Sequence, residues 1–145
     1  MMLLGPQKYF MNEPELPIYK KWIEKADHDL GSAKLIFKYI PEYFDTVAYH
    51  CQQSVEKYIK SLLIYHGIEF QRTHDLPFLL ELLSRKIEIN PDYFDKAIIL
   101  NGYSIEIRYP EQIIKLTEDE LKIAISIADD FRQLTVLLTN SQINH

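Results

Sequence analysis

YHCQQSVEKYIKSLLIYHGI, residues 49–68, is the stretch whose reading decides the fold. Ala48, Val55, Ile59 and Leu62 mark an apolar stripe at the 3.6-residue helical period, and the spacing predicts a helix from Tyr43 to His66. Gly67 falls at the C′ position, where a left-handed backbone ends helices. Gln52 lies within about 40° of the stripe's centre. An amide on a core-facing stripe requires a polar partner.

The same pattern extends outward on both sides. Upstream, a helix is expected over Ile18–Ile40, with Trp22, Ala26, Leu30, Ala33, Phe37 and Ile40 along one side and Pro41 ending it. Downstream, Asp75 can cap a short helix that carries Leu76, Leu79, Leu80, Leu82 and Leu83, tolerates Pro77 in its first turn and ends near Arg85. Asn90 and Pro91 open a fourth helix that Pro110 closes, and Thr117 with Glu120 forms a capping box for a last helix reaching about Thr139. No alternating apolar and polar run is long enough to suggest a sheet. The expectation is an all-α domain over residues 18–140, with a proline-marked leader (1–17), a short tail (141–145), and four long helices and one short one sharing a core.

Bulk properties narrow the function. The 145-residue chain, 47% hydrophobic and 26% charged, suits one soluble domain. Its single cysteine, Cys51, rules out an internal disulfide framework and sits beside the apolar stripe, which predicts a buried thiol and a reducing, cytoplasmic setting. No segment approaches the roughly 18 apolar residues of a membrane span, and MMLLGPQKYF lacks the basic start of a signal peptide. A net charge of −5 argues against nucleic-acid binding by the whole surface but leaves room for a local basic patch.

Polar residues on apolar stripes are the candidates for chemistry. With Trp22 as reference, Asp29 lies about 20° away on the first helix, and Phe94, Asn101 and Arg108 recur at heptad spacing on the fourth. Arg132 falls near the line of Leu121, Ile125 and Ala128. One arrangement satisfying these groups is a cluster of Asp29, Gln52, Asn101 and an arginine, with Gln52 as its bridge; the other places Asp29 and Arg108 on the stripe's edge, reaching water. His50, Gln53 and Lys57 share the opposite face of the second helix, either as a solvated face or as a site for phosphate or a second subunit. Five histidines include no pair at one-turn spacing, so no zinc site is expected, and four scattered glycines form no phosphate-cradling loop. No cofactor is expected.

ADHDLGSAKLI in the first helix, YHCQQSVEKYIKSLLIYHGI in the second, RTHDLPFLLELL in the third and YSIEIRYP at the end of the fourth resemble, in order, the blocks of a HEPN domain, the "higher eukaryote and prokaryote nucleotide-binding" helical bundle. The resemblance covers residues 18–138. It implies an up-and-down bundle of four main helices plus a short extra one, a homodimer, the prokaryotic stand-alone subgroup, and frequent partnership with a minimal nucleotidyltransferase. HEPN ribonucleases, toxins among them, resemble one another in an arginine followed four to six residues later by a histidine. Arg108 fits the arginine, but Gln112, Ile113 and Ile114 stand where the histidine should be, and none can exchange protons near neutral pH. His74 follows Arg72 too closely and in the wrong connection. The expected function is therefore a non-catalytic module that binds a nucleotide, RNA or nucleotidyltransferase partner; a degenerate-motif ribonuclease of toxin–antitoxin type is the alternative.

Overall fold

The computed structural model describes residues 16–108 and 116–140, and of residues 104–108 the backbone alone. Most of the expected leader, the segment holding Pro110 and Gln112–Ile114, and the tail lie outside the described residues. Five helices follow in order: α1 (Ile18–Tyr39), α2 (Phe44–Tyr65), α3 (Leu76–Ser84), α4 (Asp92–Arg108) and α5 (Glu118–Thr139).

Local chemistry sets their ends. Gly67, at φ +70°, closes α2 with the paired bonds of a Schellman motif, Ile68 N–H to Leu63 C=O at 2.8 Å and Gly67 N–H to Ile64 C=O at 3.0 Å. The Asp75 carboxylate accepts from Phe78 N–H at 3.2 Å to cap α3. Asn90 Oδ1 accepts from Asp92 N–H at 2.9 Å, so α4 begins just after Pro91. At α5 both halves of the capping box form: Glu120 N–H donates to Thr117 Oγ1 at 3.1 Å, and Thr117 N–H to Glu120 Oε1 at 2.8 Å.

α2 runs through the middle of the bundle and packs against all four other helices. The short connection between α1 and α2 turns them into an antiparallel pair, and Ala26 and Ala33 let the backbones approach closely. Leu76, Leu79, Leu80 and Leu83 of α3, Ala97 and Leu100 of α4, and Leu121, Ala124, Ala128 and Phe131 of α5 close the core around Cys51, Val55, Ile59, Leu62 and Leu63. Each fully buried leucine or phenylalanine contributes about 1.5–3 kcal/mol. Because neighbours surround α2, its polar residues cannot all reach water: Gln52, Ser54, Glu56, Lys60 and Ser61 are buried. Ser54 and Ser61 satisfy themselves on the carbonyls of Cys51 and Tyr58.

The observed core line of α1 is Ile23, Ala26, Leu30 and Ala33, not a line centred on Trp22. Its centre lies roughly 80° from Asp29 on the helical wheel, which puts that carboxylate at the rim rather than in the core. Tyr58 of α2 is fully buried, and Ile127 of α5 is buried at 4% exposure. Ile123 and Leu137, also on α5, are exposed.

Candidate functional site

Two carboxylates organise the polar side of α2, and each is held in the same way. Asp29, on α1, has His50 Nδ1 at 2.9 Å from one oxygen and accepts from Lys57 Nζ on the other. Glu56, on α2 itself, has His74 Nδ1 at 2.9 Å from one oxygen and Lys60 Nζ at 2.8 Å from the other. His50 and Lys57 sit one helical turn apart from Gln53 and beneath α1, so this face is half covered rather than freely solvated. Glu56 and Lys60 are deeper, with side chains 5% and 8% exposed. Lys60 Nζ also lies 5.7 Å from the ring centroid of Trp22 and 5.8 Å from that of Phe70. Pairing and the aromatic faces offset the desolvation of both charges.

The other predicted residues occupy distinct places. Gln52 is buried as expected, but its amide serves the α2–α3 connection: Nε2 donates to the His74 carbonyl at 3.4 Å and Oε1 accepts from Gln53 Nε2 at 3.1 Å. Asn101 Oδ1 accepts from Leu76 N–H, at the start of α3, at 3.1 Å. Asp29 turns to His50 and Lys57, joining two residue sets that the sequence reading kept apart. Arg108 ends α4, and its side chain lies outside the described residues. Arg132 is bonded to Asp27, its Nε 3.1 Å from the Oδ1 that also accepts from the buried Tyr58 hydroxyl.

Asp27, Tyr58, Glu56, Lys60 and His74 were not identified by sequence reasoning. Glu56 and Lys60 stand at i, i+4, a spacing usual for surface pairs, and only the central position of α2 makes theirs internal. His74 comes from a connection whose path periodicity cannot predict.

A groove of about 530 Å³ opens beside this face, lined by Ile18, Lys21, Trp22, Lys25 and Lys57. Three lysines with one aromatic ring make it locally basic on a chain that is acidic in total. A smaller cleft of about 210 Å³ lies between α1 and α5, lined by Asp27, Arg132, Lys20, Glu24 and apolar residues. Burial pushes the Cys51 thiol up to about 12, with the charge of Asp129 adding to the effect, which makes it a packing group rather than a nucleophile. Burial, then the bond to Asp27, raises the Tyr58 phenol well above its usual range. Burial and then Lys86 lower His66. Among the described residues, no group of three or more histidine, cysteine, aspartate or glutamate side chains is placed to hold a metal ion. Among them, too, no helix is long and apolar enough to cross a membrane.

With this geometry in place, residues 19–138 match the HEPN domain family. "Putative toxin MJ1304" of Methanocaldococcus jannaschii is 33% identical over 99 residues, covering 63% of this chain and 63% of that protein. The match thus spans less than two thirds of that relative's length. Among solved structures, TT1696 from Thermus thermophilus superposes with a TM-score of 0.73 at 23% identity, over 83% of this chain and 97% of that one. ST0689, described as an archaeal HEPN homologue, gives 0.65 at 25% identity over 81% and 93%.

Proposed function

The chain belongs to the HEPN domain family, and from that premise we propose that it acts as a dimeric binding module for a phosphate-bearing ligand rather than as an autonomous ribonuclease. The observation that carries this reading is the basic groove, where Lys21, Lys25 and Lys57 meet beside Trp22. Lysine ammonium groups attract phosphate without any proton exchange, so binding persists where catalysis lacks its usual histidine. His50 and Gln53 border the same face, and Asp29 holds both His50 and Lys57. A minimal nucleotidyltransferase is the protein partner proposed for the dimer. Calorimetric titration with inorganic phosphate, mononucleotides and triphosphates tests the reading. Saturable binding weakened by Lys21→Ala and Lys25→Ala supports it, whereas no heat with any phosphate compound refutes it.

The name of the Methanocaldococcus relative, "Putative toxin MJ1304", is consistent with a second reading, a degenerate-motif ribonuclease of toxin–antitoxin type, without bearing on ribonuclease activity itself. Incubation of the purified protein with a mixed RNA pool separates the two. Cleavage abolished by Arg108→Ala would put the nuclease first.

A further inference from the structure

The cleft between α1 and α5 lies on the opposite face of α1 from the basic groove and shares no residue with it. A chain of bonds fixes its guanidinium from the core outward. The buried Tyr58 hydroxyl donates to Asp27 Oδ1, and Arg132 Nε donates to the same oxygen at 3.1 Å. Arg132 is thus held by its inner nitrogen. Its two terminal nitrogens, the pair that grips a carboxylate in parallel bonds, have no partner among the described residues. Lys20 and Glu24 line the same cleft from α1, and among the described residues neither has an ion pair. Asp129, one turn before Arg132 on α5, is taken up by Lys34 at 2.8 Å. Leu16, Ile23 and Val136 supply an apolar wall.

The lining charges cancel, Arg132 and Lys20 against Asp27 and Glu24. A phosphate dianion would face both carboxylates, whereas a ligand that carries one charge of each sign leaves every group paired. Glu24 stands about one turn from Asp27, and so from the guanidinium bound to it, near enough for one compact zwitterion to reach both. We infer that the cleft takes a free α-amino acid with an aliphatic side chain, its carboxylate on the Arg132 terminal nitrogens, its ammonium on Glu24 and its side chain against Leu16, Ile23 and Val136. Lys20 adds to the attraction for the carboxylate. A peptide end carries only one of the two charges, so the free amino acid alone satisfies both sides. The cleft volume of about 210 Å³ falls below the roughly 300–1,000 Å³ of drug-sized ligands and suits a smaller one. Tyr58 and Asp27 are positioning residues: the phenol holds the carboxylate, and the carboxylate holds the guanidinium. The inference is independent of the phosphate-binding reading, which concerns the other face of α1.

Calorimetric titration of the full-length protein with L-leucine should show saturable binding. L-Leucinamide, which lacks the carboxylate, and 4-methylpentanoate, which lacks the ammonium, should each bind at least about tenfold more weakly, the size of losing a hydrogen bond to a charged group. Glu24 is exposed, so Glu24→Gln leaves the fold intact; it should erase the advantage of leucine over 4-methylpentanoate without changing the affinity for 4-methylpentanoate itself. Arg132→Lys keeps the charge but loses the fork, and should weaken both carboxylate-bearing ligands. Tyr58→Phe should weaken these two by the same factor and preserve the ratio of their affinities, which a general loosening of the cleft would change. Equal affinity for leucine and 4-methylpentanoate overturns the inference. So does leucine binding that ignores both Glu24→Gln and Arg132→Lys, and so does the absence of saturable leucine binding. None of these results bears on phosphate binding in the groove.

Discussion

Replacing Glu56 with methionine would leave the Lys60 ammonium, 8% exposed, with two aromatic rings but no counter-charge. Stranding one partner of a buried ion pair typically costs 3–5 kcal/mol. Water reaches this pair from the His74 end, where the imidazole is half exposed, so the lower end of that range, about 3 kcal/mol, is expected for Glu56→Met. With a urea dependence of about 1.5 kcal/mol per molar, the unfolding midpoint should fall by about 2 M. Glu56→Met combined with Lys60→Met removes both charges at similar volume and should return the protein to within about 1 kcal/mol of the parent, since a buried pair and its apolar replacement are often equivalent. Urea melts of the parent, both single variants and the double variant complete the cycle. A loss below about 1 kcal/mol in Glu56→Met, or a double variant no more stable than that single one, would refute the claim that the stranded ammonium is the cause.

Thr117→Ala breaks the capping box of α5 and should cost about 1 kcal/mol in a denaturant melt, with Thr117→Asn close to neutral. Gly67→Ala forces a side chain into left-handed backbone at φ +70° and should cost about 1 kcal/mol although nothing crowds the added methyl group. Cys51 should resist thiol reagents until the chain unfolds. The Cys51 thiol ionises at about 12 in the fold against 9.0 in the open chain, so above pH 9 the unfolded state holds fewer protons. Its contribution therefore declines by about 1.4 kcal/mol per pH unit until about pH 12, and Cys51→Ala should flatten that alkaline slope. Asp29→Asn frees Lys57 and His50 and should tighten phosphate binding measured by calorimetry, whereas unchanged affinity would detach Lys57 from the groove.

Helix ends were the most legible part of the molecule because they depend on chemistry a few residues away. Gly67, Asp75, Asn90 and the Thr117–Glu120 pair all act where their spacing places them. The candidate site was less legible, and α2 shows why. A wheel divides residues into faces, but it does not reveal that a helix will be surrounded, so Glu56 and Lys60 drew no notice, and the face of His50, Gln53 and Lys57 stayed open between a solvated surface and a site for phosphate or a second subunit. On α1, choosing the large Trp22 instead of the smaller Ala26 and Ala33 as the core reference rotated Asp29 inward. Size misled there, because a close helix pair buries alanine and moves tryptophan to the rim. Gln52 was correctly expected inside, yet its partner is a backbone carbonyl on a connection that no periodicity describes.

The bond from Leu76 N–H to Asn101 Oδ1 bears on the order in which the chain folds. α3 has nine residues, fewer than the roughly 12–15 that an isolated helix needs to persist in water. Its first N–H has no partner within its own helix and finds one 25 residues later in sequence. α1 and α2, by contrast, are long, adjacent in the chain and share the largest helix–helix interface, so they can pair before any distant contact is made. In kinetic terms α3 then settles only after α4 has docked, late on the path. Asn101→Ala should accordingly speed unfolding while leaving the folding rate almost unchanged.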